Sequence, residues 1–205
     1  MQPDYWSAAI RELARRDAVL RKLIKQFRGL ALGSRGDAFQ TLARAIVGQQ
    51  ISVKAAQSVW ARVETELGVV TPRRVASAQI DSLRSCGLSR QKTLYLSDLA
   101  QRFESGALRV GEWNALDDET LIAQLTQVKG IGRWTAEMFL IFYLVRPDVL
   151  PLDDLGLQRA MKLHYNRGRP LTRTRMSRIA DTWAPWRSVA TWYLWRSLDP
   201  LPVEY

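Results

Sequence analysis

Cysteine and histidine are almost missing from this chain: Cys86 and His164 are the only ones in 205 residues. A structural zinc site takes about four ligands, mostly of these two types, so none is expected. A four-cysteine iron–sulfur cluster is excluded. A single cysteine closes no internal disulfide, which suits a reducing compartment. No apolar run reaches about 18 residues, so no membrane-spanning helix and no membrane partner are expected. No basic-then-apolar leader opens the sequence. The expectation is a soluble monomer in the cytoplasm, associated with the nucleoid if the source is bacterial. Acids are also scarce, 20 against 30 lysines and arginines, for a net charge of +10. That balance favours a polyanionic partner, with nucleic acid first.

The hydrophobic fraction is 47%, enough for a sizeable core. Apolar residues recur at helical spacing through most of the chain, without sustained strand alternation, internal repeat or low-complexity segment. Trp6, Ile10 and Leu13, then Val19, Leu20, Leu23, Ile24 and Phe27, predict one or two amphipathic helices over 4–27, with Asp17 as a cap. Asp37 is expected to cap a helix bearing Phe39, Leu42, Ile46 and Val47. Ser52 is placed to cap the next, with Ala55, Ala56, Val59 and Val63 on its apolar face. Thr71-Pro72 starts a short helix. Ser89, Arg90 and Lys92 form a basic helix start, continued by Leu94, Leu96, Leu99 and Phe103. Further helices are expected from about Leu155 to His164 and from Thr172 to Leu198. The class is all-α with many short helices, in one domain over 1–205.

Two stretches carry the functional argument. The first is Lys129-Gly130-Ile131-Gly132, a glycine turn between helical patterns at 117–128 and 133–145. Its glycines are expected to allow positive φ and close backbone approach. A helix opening there would present N–H groups to an anion such as phosphate. Lys129, Arg133 and Thr135 would add charge and a hydroxyl. Such a helix-hairpin-helix grips a nucleic-acid backbone without reading bases. The second is Asp153-Asp154 at a helix start, after Val149-Leu150-Pro151-Leu152. One acid can cap the helix while the other acts in chemistry. A carboxylate beside a phosphate backbone weakens binding, so its presence suggests cleavage of a glycosidic bond. There it would stabilise an oxocarbenium-like transition state and direct water.

The run Lys-Gly-Ile-Gly-Arg-Trp-Thr-Ala from Lys129, with Leu-Pro-Leu-Asp-Asp-Leu-Gly-Leu from Leu150, resembles the helix-hairpin-helix superfamily of DNA glycosylases, of the DNA-3-methyladenine glycosylase II type. Arg44-Ala-Ile-Val-Gly-Gln-Gln-Ile-Ser and Trp183-Ala-Pro-Trp-Arg-Ser-Val-Ala-Thr-Trp-Tyr-Leu-Trp agree with it, and the likeness covers roughly 37–198. The resemblance implies two helical lobes around a DNA-binding cleft, roughly 37–120 and 1–36 plus 121–205, without the N-terminal β domain of some members. It implies base excision repair of double-stranded DNA with alkylated purines such as 3-methyladenine and 7-methylguanine. It places the catalytic aspartate at Asp154, with Asp153 as the alternative and the other acid as the cap. Gly130, Ile131 and Gly132 would hold a phosphate, with a monovalent cation at Gly130 and Gly132 and no other cofactor. Trp134 stands where bifunctional relatives carry a lysine, which implies base removal without strand nicking.

By the same match Trp134, Trp195 and Met138 line the base pocket, where indole faces attract a cationic base. Gln50 is the wedge that replaces the flipped base, flanked by Gln49 and Ile51. Ser89 and Lys92 are further phosphate contacts. Trp60, Trp183, Trp186 and Trp192 are expected in the core, and His164 at a surface helix end. Two alternatives stay open: a glycosylase for uracil, hypoxanthine or mismatched bases, and a non-catalytic helix-hairpin-helix DNA-binding module.

Overall fold

A computed structural model describes residues 2–34 and 36–198. These contain twelve α-helices and one short 3-10 helix, and no strand. The helices run α1 Trp6–Arg16, α2 Ala18–Gln26, α3 Ala38–Gly48, α4 Val53–Leu67, α5 Pro72–Ser77, α6 Ile80–Ser85 and α7 Arg90–Glu104. After the 3-10 helix Val110–Ala115 come α8 Asp118–Leu125, α9 Arg133–Phe142, α10 Leu155–Tyr165, α11 Arg173–Asp181 and α12 Arg187–Leu198. The hairpin arms are thus shorter than the periodicity suggested.

Helix starts follow the cap chemistry of the sequence. Asp17 accepts from the N–H groups of Val19 and Leu20, and Asp37 from that of Gln40. Ser52, Thr71 and Thr172 do the same for α4, α5 and α11. Asp117 caps α8 by accepting from Thr120 N–H. Each cap satisfies an N–H that the helix itself leaves without a partner, and contributes about 1 kcal/mol.

The described residues form two compact units, one from 2–34 with 140–198, the other Gly36–Phe139. The division falls inside α9, not near residue 120, so residues 121–139 belong with the middle of the chain. In the terminal unit, Trp6, Leu13, Leu20, Met161, Trp183, Val189 and Tyr193 are buried. Trp192 packs edge-on against Trp6 and Tyr193, at centroid distances of 5.2 and 4.9 Å. Asp17 has a second task there: its Oδ2 accepts from Tyr165 Oη at 2.8 Å and Trp183 Nε1 at 3.1 Å. One carboxylate therefore joins the start of α2 to the ends of α10 and α11. Burial and this acid push the Tyr165 phenol pKa upward. Trp186 is only half-buried and stacks on Tyr5. In the middle unit, Phe103, Trp113 and Phe139 form an edge-to-face chain at 6.1 and 5.4 Å. A fully buried side chain of this size contributes about 1.5–3 kcal/mol. Two apolar expectations fail at the surface: Leu94 is 45% exposed, and Ala55 is exposed while Trp60 joins Val59 and Val63 inside.

Candidate active site

The acidic pair splits, though not as expected. Asp154 is the cap: its Oδ1 accepts from Leu157 N–H at 2.6 Å, at the start of α10. The same oxygen accepts from the indole Nε1 of Trp195, in α12, at 2.7 Å. Asp154 is only 9% exposed. The side chain of Asp153 is 60% exposed and pairs with Arg173 at the surface. The capping and the deeply set acid are therefore one residue, because a carboxylate has enough acceptor sites for a cap and a second donor. Two N–H donors on one oxygen leave the Asp154 carboxylate little freedom to rotate.

The neighbours fix the indole in turn. The Trp195 ring stacks on Phe142, centroids 5.6 Å apart and planes 15° from parallel. Gly156 makes room for it. A Cβ there would lie 3.0 Å from Asp154 Oδ1 and 3.2 Å from Trp195 Cδ1. The glycine of Asp-Leu-Gly-Leu thus lets the indole reach the acid. The segment before Asp154 is tied to α12. The Arg187 guanidinium donates to both oxygens of Asp148 at 2.8 and 2.7 Å, and Val149 N–H donates to Ser188 Oγ at 2.9 Å. His164 lies in the last turn of α10, but it is half-buried, with Nε2 2.8 Å from Ser197 Oγ. Burial lowers its pKa from 6.5.

The glycine turn belongs to the middle unit. Gly130 sits at φ +85°, where a side chain is strained, and a Cβ on it would overlap the Tyr95 ring. Gly132 has no positive φ, contrary to expectation; it has open space where a Cβ would stand. The turn is held from α7 and from the loop after α3. Asp98 Oδ2 accepts from Lys129 N–H at 2.9 Å, and Gln49 Nε2 donates to Gly130 O at 2.7 Å.

Several expected phosphate ligands have other work. Ile131 is buried, and its N–H donates to Val128 O. Thr135 is buried at 8% exposure. The Arg133 guanidinium lies between Glu119 and Glu137, and these carboxylates raise its pKa. The Lys92 ammonium donates to Val47 O and Gln49 O, both at 2.7 Å, so it closes the C-terminus of α3; burial lowers its pKa. Ser89 Oγ caps α7 by accepting from Lys92 N–H. Lys129 is exposed. Met138 is buried, whereas Trp134, in the first turn of α9, is 40% exposed.

Gln50 stands apart from this internal bonding. It is exposed at the tip between α3 and α4, at φ +59°, beside Ile51 and Val53 at 40% and 59% exposure. A non-glycine residue held there carries about 1–2 kcal/mol of strain. Tyr95, Asp98 and Gly156 were not singled out by sequence reasoning. Only the glycine two residues after Asp154 offered a signal, through its place in the motif.

The pattern of the HhH-GPD superfamily, base excision DNA repair proteins, matches residues 43–185. The chain belongs to this superfamily. The matched span includes the Gln49-Gln50 tip, the glycine hairpin and Asp154, and the HhH-GPD architecture accounts for the purely helical class. Among curated relatives, DNA-3-methyladenine glycosylase 1 of Schizosaccharomyces pombe is 34% identical over 180 residues, covering 86% of this chain and 79% of its own. The solved DNA-3-methyladenine glycosidase of Bacillus halodurans superposes with a TM-score of 0.87 at 35% identity, over 93% of this chain and 89% of that one. A 3-methyladenine DNA glycosylase of Schizosaccharomyces pombe, solved with abasic DNA, gives 0.79 at 31% identity, over 97% and 99%.

Proposed function

We propose that this HhH-GPD protein is a monofunctional DNA glycosylase that removes alkylated purines, of the 3-methyladenine and 7-methylguanine kind, from double-stranded DNA. The observation that carries the reading is the Asp154 carboxylate, sunk at the start of α10 and clamped by Leu157 N–H and Trp195 Nε1. The names of its relatives as DNA-3-methyladenine glycosylases support the substrate class.

In the proposed reaction the C1′–N bond breaks and the base leaves with the bonding electrons. A purine alkylated on N3 or N7 is already cationic, so it departs without a protonating side chain. Asp154 stabilises the positive charge that develops on the sugar, and water then adds to C1′ and releases a proton. A preoriented carboxylate is worth more than a rotating one, since no reorganisation accompanies the charge as it forms. Trp134 offers an exposed indole face for a cationic base. It has no amine to form a Schiff base, so the product is an abasic site on an intact strand. Gln50 fills the space left by the flipped nucleotide. The hairpin holds the backbone through its main chain near Gly132. A monovalent cation there would take carbonyl oxygens as ligands. Gly130 O already accepts from Gln49 and Val128 O from Ile131, and each keeps a second lone pair.

The experiment uses duplex DNA carrying 7-methylguanine or 3-methyladenine with the wild type, Asp154→Asn and Asp153→Asn. Free base is measured by chromatography, and nicking is scored before and after alkali. Base release with nicks only after alkali, lost in Asp154→Asn alone, is the expected result. Release retained in Asp154→Asn and lost in Asp153→Asn would remove Asp154 from the chemistry. Tight binding without release by the wild type would leave a DNA-binding module.

A further inference from the structure

Positive charge is very unevenly spread. The span 36–139, which contains the hairpin, has twelve lysines and arginines against eleven acids; the rest of the sequence has eighteen against nine. Nearly all of the +10 therefore lies outside the unit that carries the expected phosphate grip. Within that unit, Arg133 is neutralised by Glu119 and Glu137, and Lys92 is turned onto backbone carbonyls. That leaves Lys129 as the exposed cation of the turn, and one cation supplies little of the counterion release that drives binding to DNA.

The largest one-signed stretch is 155–180, with seven lysines and arginines and no acid. Of these, Arg173 is committed to Asp153. Arg167, Arg169, Arg175 and Arg178 are exposed and make no ion pair among the described residues. Two of them stand on a built loop. Arg167 takes φ +52° and Gly168 φ +81°, Gly168 N–H donates to Lys162 O at 2.8 Å, and Asn166 Nδ2 donates to Arg169 O and Pro170 O. Arg175 and Arg178 are three apart on α11, whose Met176 and Ala180 are buried. A loop kept in a left-handed conformation to display two arginines, beside a helix that displays two more, is more than a solvated face requires.

We infer that the arginine strip Arg167, Arg169, Arg175 and Arg178 is a second DNA-backbone surface of this protein, and that it supplies most of the electrostatic affinity for duplex DNA. It binds phosphates without reading sequence, as guanidinium groups do when no base edge is addressed. The inference rests on DNA as the substrate, as proposed above, and not on which base is removed.

The test measures binding of the full chain to an undamaged duplex across a salt series. The R167Q/R169Q/R175Q/R178Q variant is compared with the wild type and with R11Q/R15Q/K22Q/K25Q, which removes the same charge from exposed positions of α1 and α2. Loss of the strip should flatten the slope of log K against log salt by about 0.9 per cation engaged, up to about 3.6 for the four. The α1–α2 variant should change it by less than about 1 on the same scale. Base release at saturating DNA should stay within about twofold in the α1–α2 variant, whose exposed positions belong to no assigned DNA contact. An unchanged slope, or equal flattening by the two variants, overturns the inference. So does a strip variant that loses affinity for single-stranded RNA but not for the duplex. A wild type that releases no base while the strip variant still flattens the slope would sink the excision reading and leave this one standing.

Discussion

The hairpin in the middle unit and the carboxylate in the terminal unit are both held rigidly, but by opposite means. The turn at Gly130 is fixed by shape and by bonds to its main chain: the Tyr95 ring against a bare Cα, a Gln49 amide on the Gly130 carbonyl, and the Asp98 carboxylate on Lys129 N–H. Of the cations near it, Arg133 is matched by acids and Lys92 by backbone carbonyls. Around Asp154 the fixing is done by donors aimed at a charged group, and the exposed cations lie in the same stretch of chain. The difference teaches that gripping an anion and stabilising a cation place different demands on a fold. A main-chain cradle needs no side-chain charge and here excludes a Cβ at Gly130; a catalytic carboxylate needs its orientation fixed and its depth controlled.

The comparison can be broken most severely at Asp154. Asn in its place keeps an Oδ1 acceptor for both N–H groups and loses only the charge, so the fold should survive while the rate of base release falls roughly 10²–10³-fold. Asp153→Asn should leave release within about twofold and stability within about 1 kcal/mol, because its partner Arg173 is at the surface. Single-turnover assays and thermal melting check both. In the middle unit Gly130→Ala should act on stability instead. The overlap with Tyr95 and the positive φ together should cost about 3 kcal/mol, read by urea unfolding. A fully stable Gly130→Ala would show that shape does not hold the turn.

Lys92→Met sharpens the contrast further. The structure makes Lys92 an internal tie, so its loss should lower stability by about 2 kcal/mol and leave the salt slope of binding unchanged. A slope flattened by about 0.9 would restore it to the phosphate contacts expected from sequence. Trp195→Phe retains the stack on Phe142 but removes the N–H from Asp154. Release should fall about tenfold with little change in affinity, since one hydrogen bond to a charged group is worth about 1.5–3 kcal/mol. An unaltered rate would show that the cap alone orients the acid.

The smallest effect concerns pH. His164 has a folded pKa below its ordinary 6.5, so the unfolded chain binds the proton more readily. Stability contributed by the neutral ring is present above pH 6.5 and declines as pH falls through the folded value. His164→Gln should flatten that dependence below pH 6.5 in melting curves, and an identical slope in the variant would remove His164 as its source.

The sequence by itself determined the helical class, most caps and the two motifs. Those depend on local chemistry: a 3.6-residue period, an oxygen next to an open N–H, a glycine in a turn. It also carried the family, because the motif residues stand close together along the chain. Only the tertiary structure decided what each charged group does. Ser89, Lys92 and Arg133 read as phosphate ligands from their types and positions, yet their partners are an N–H of the same helix start, carbonyls 43 and 45 residues away, and acids on two helices. The same holds for the acidic pair, where both residues could cap. The donor that singles out Asp154, the Trp195 indole, lies 41 residues further on, and the glycine that admits it explains itself only when that ring is in place. Local pattern fixes where an element begins, whereas a side chain's electrostatic role depends on which distant partner folding brings within 3 Å or so.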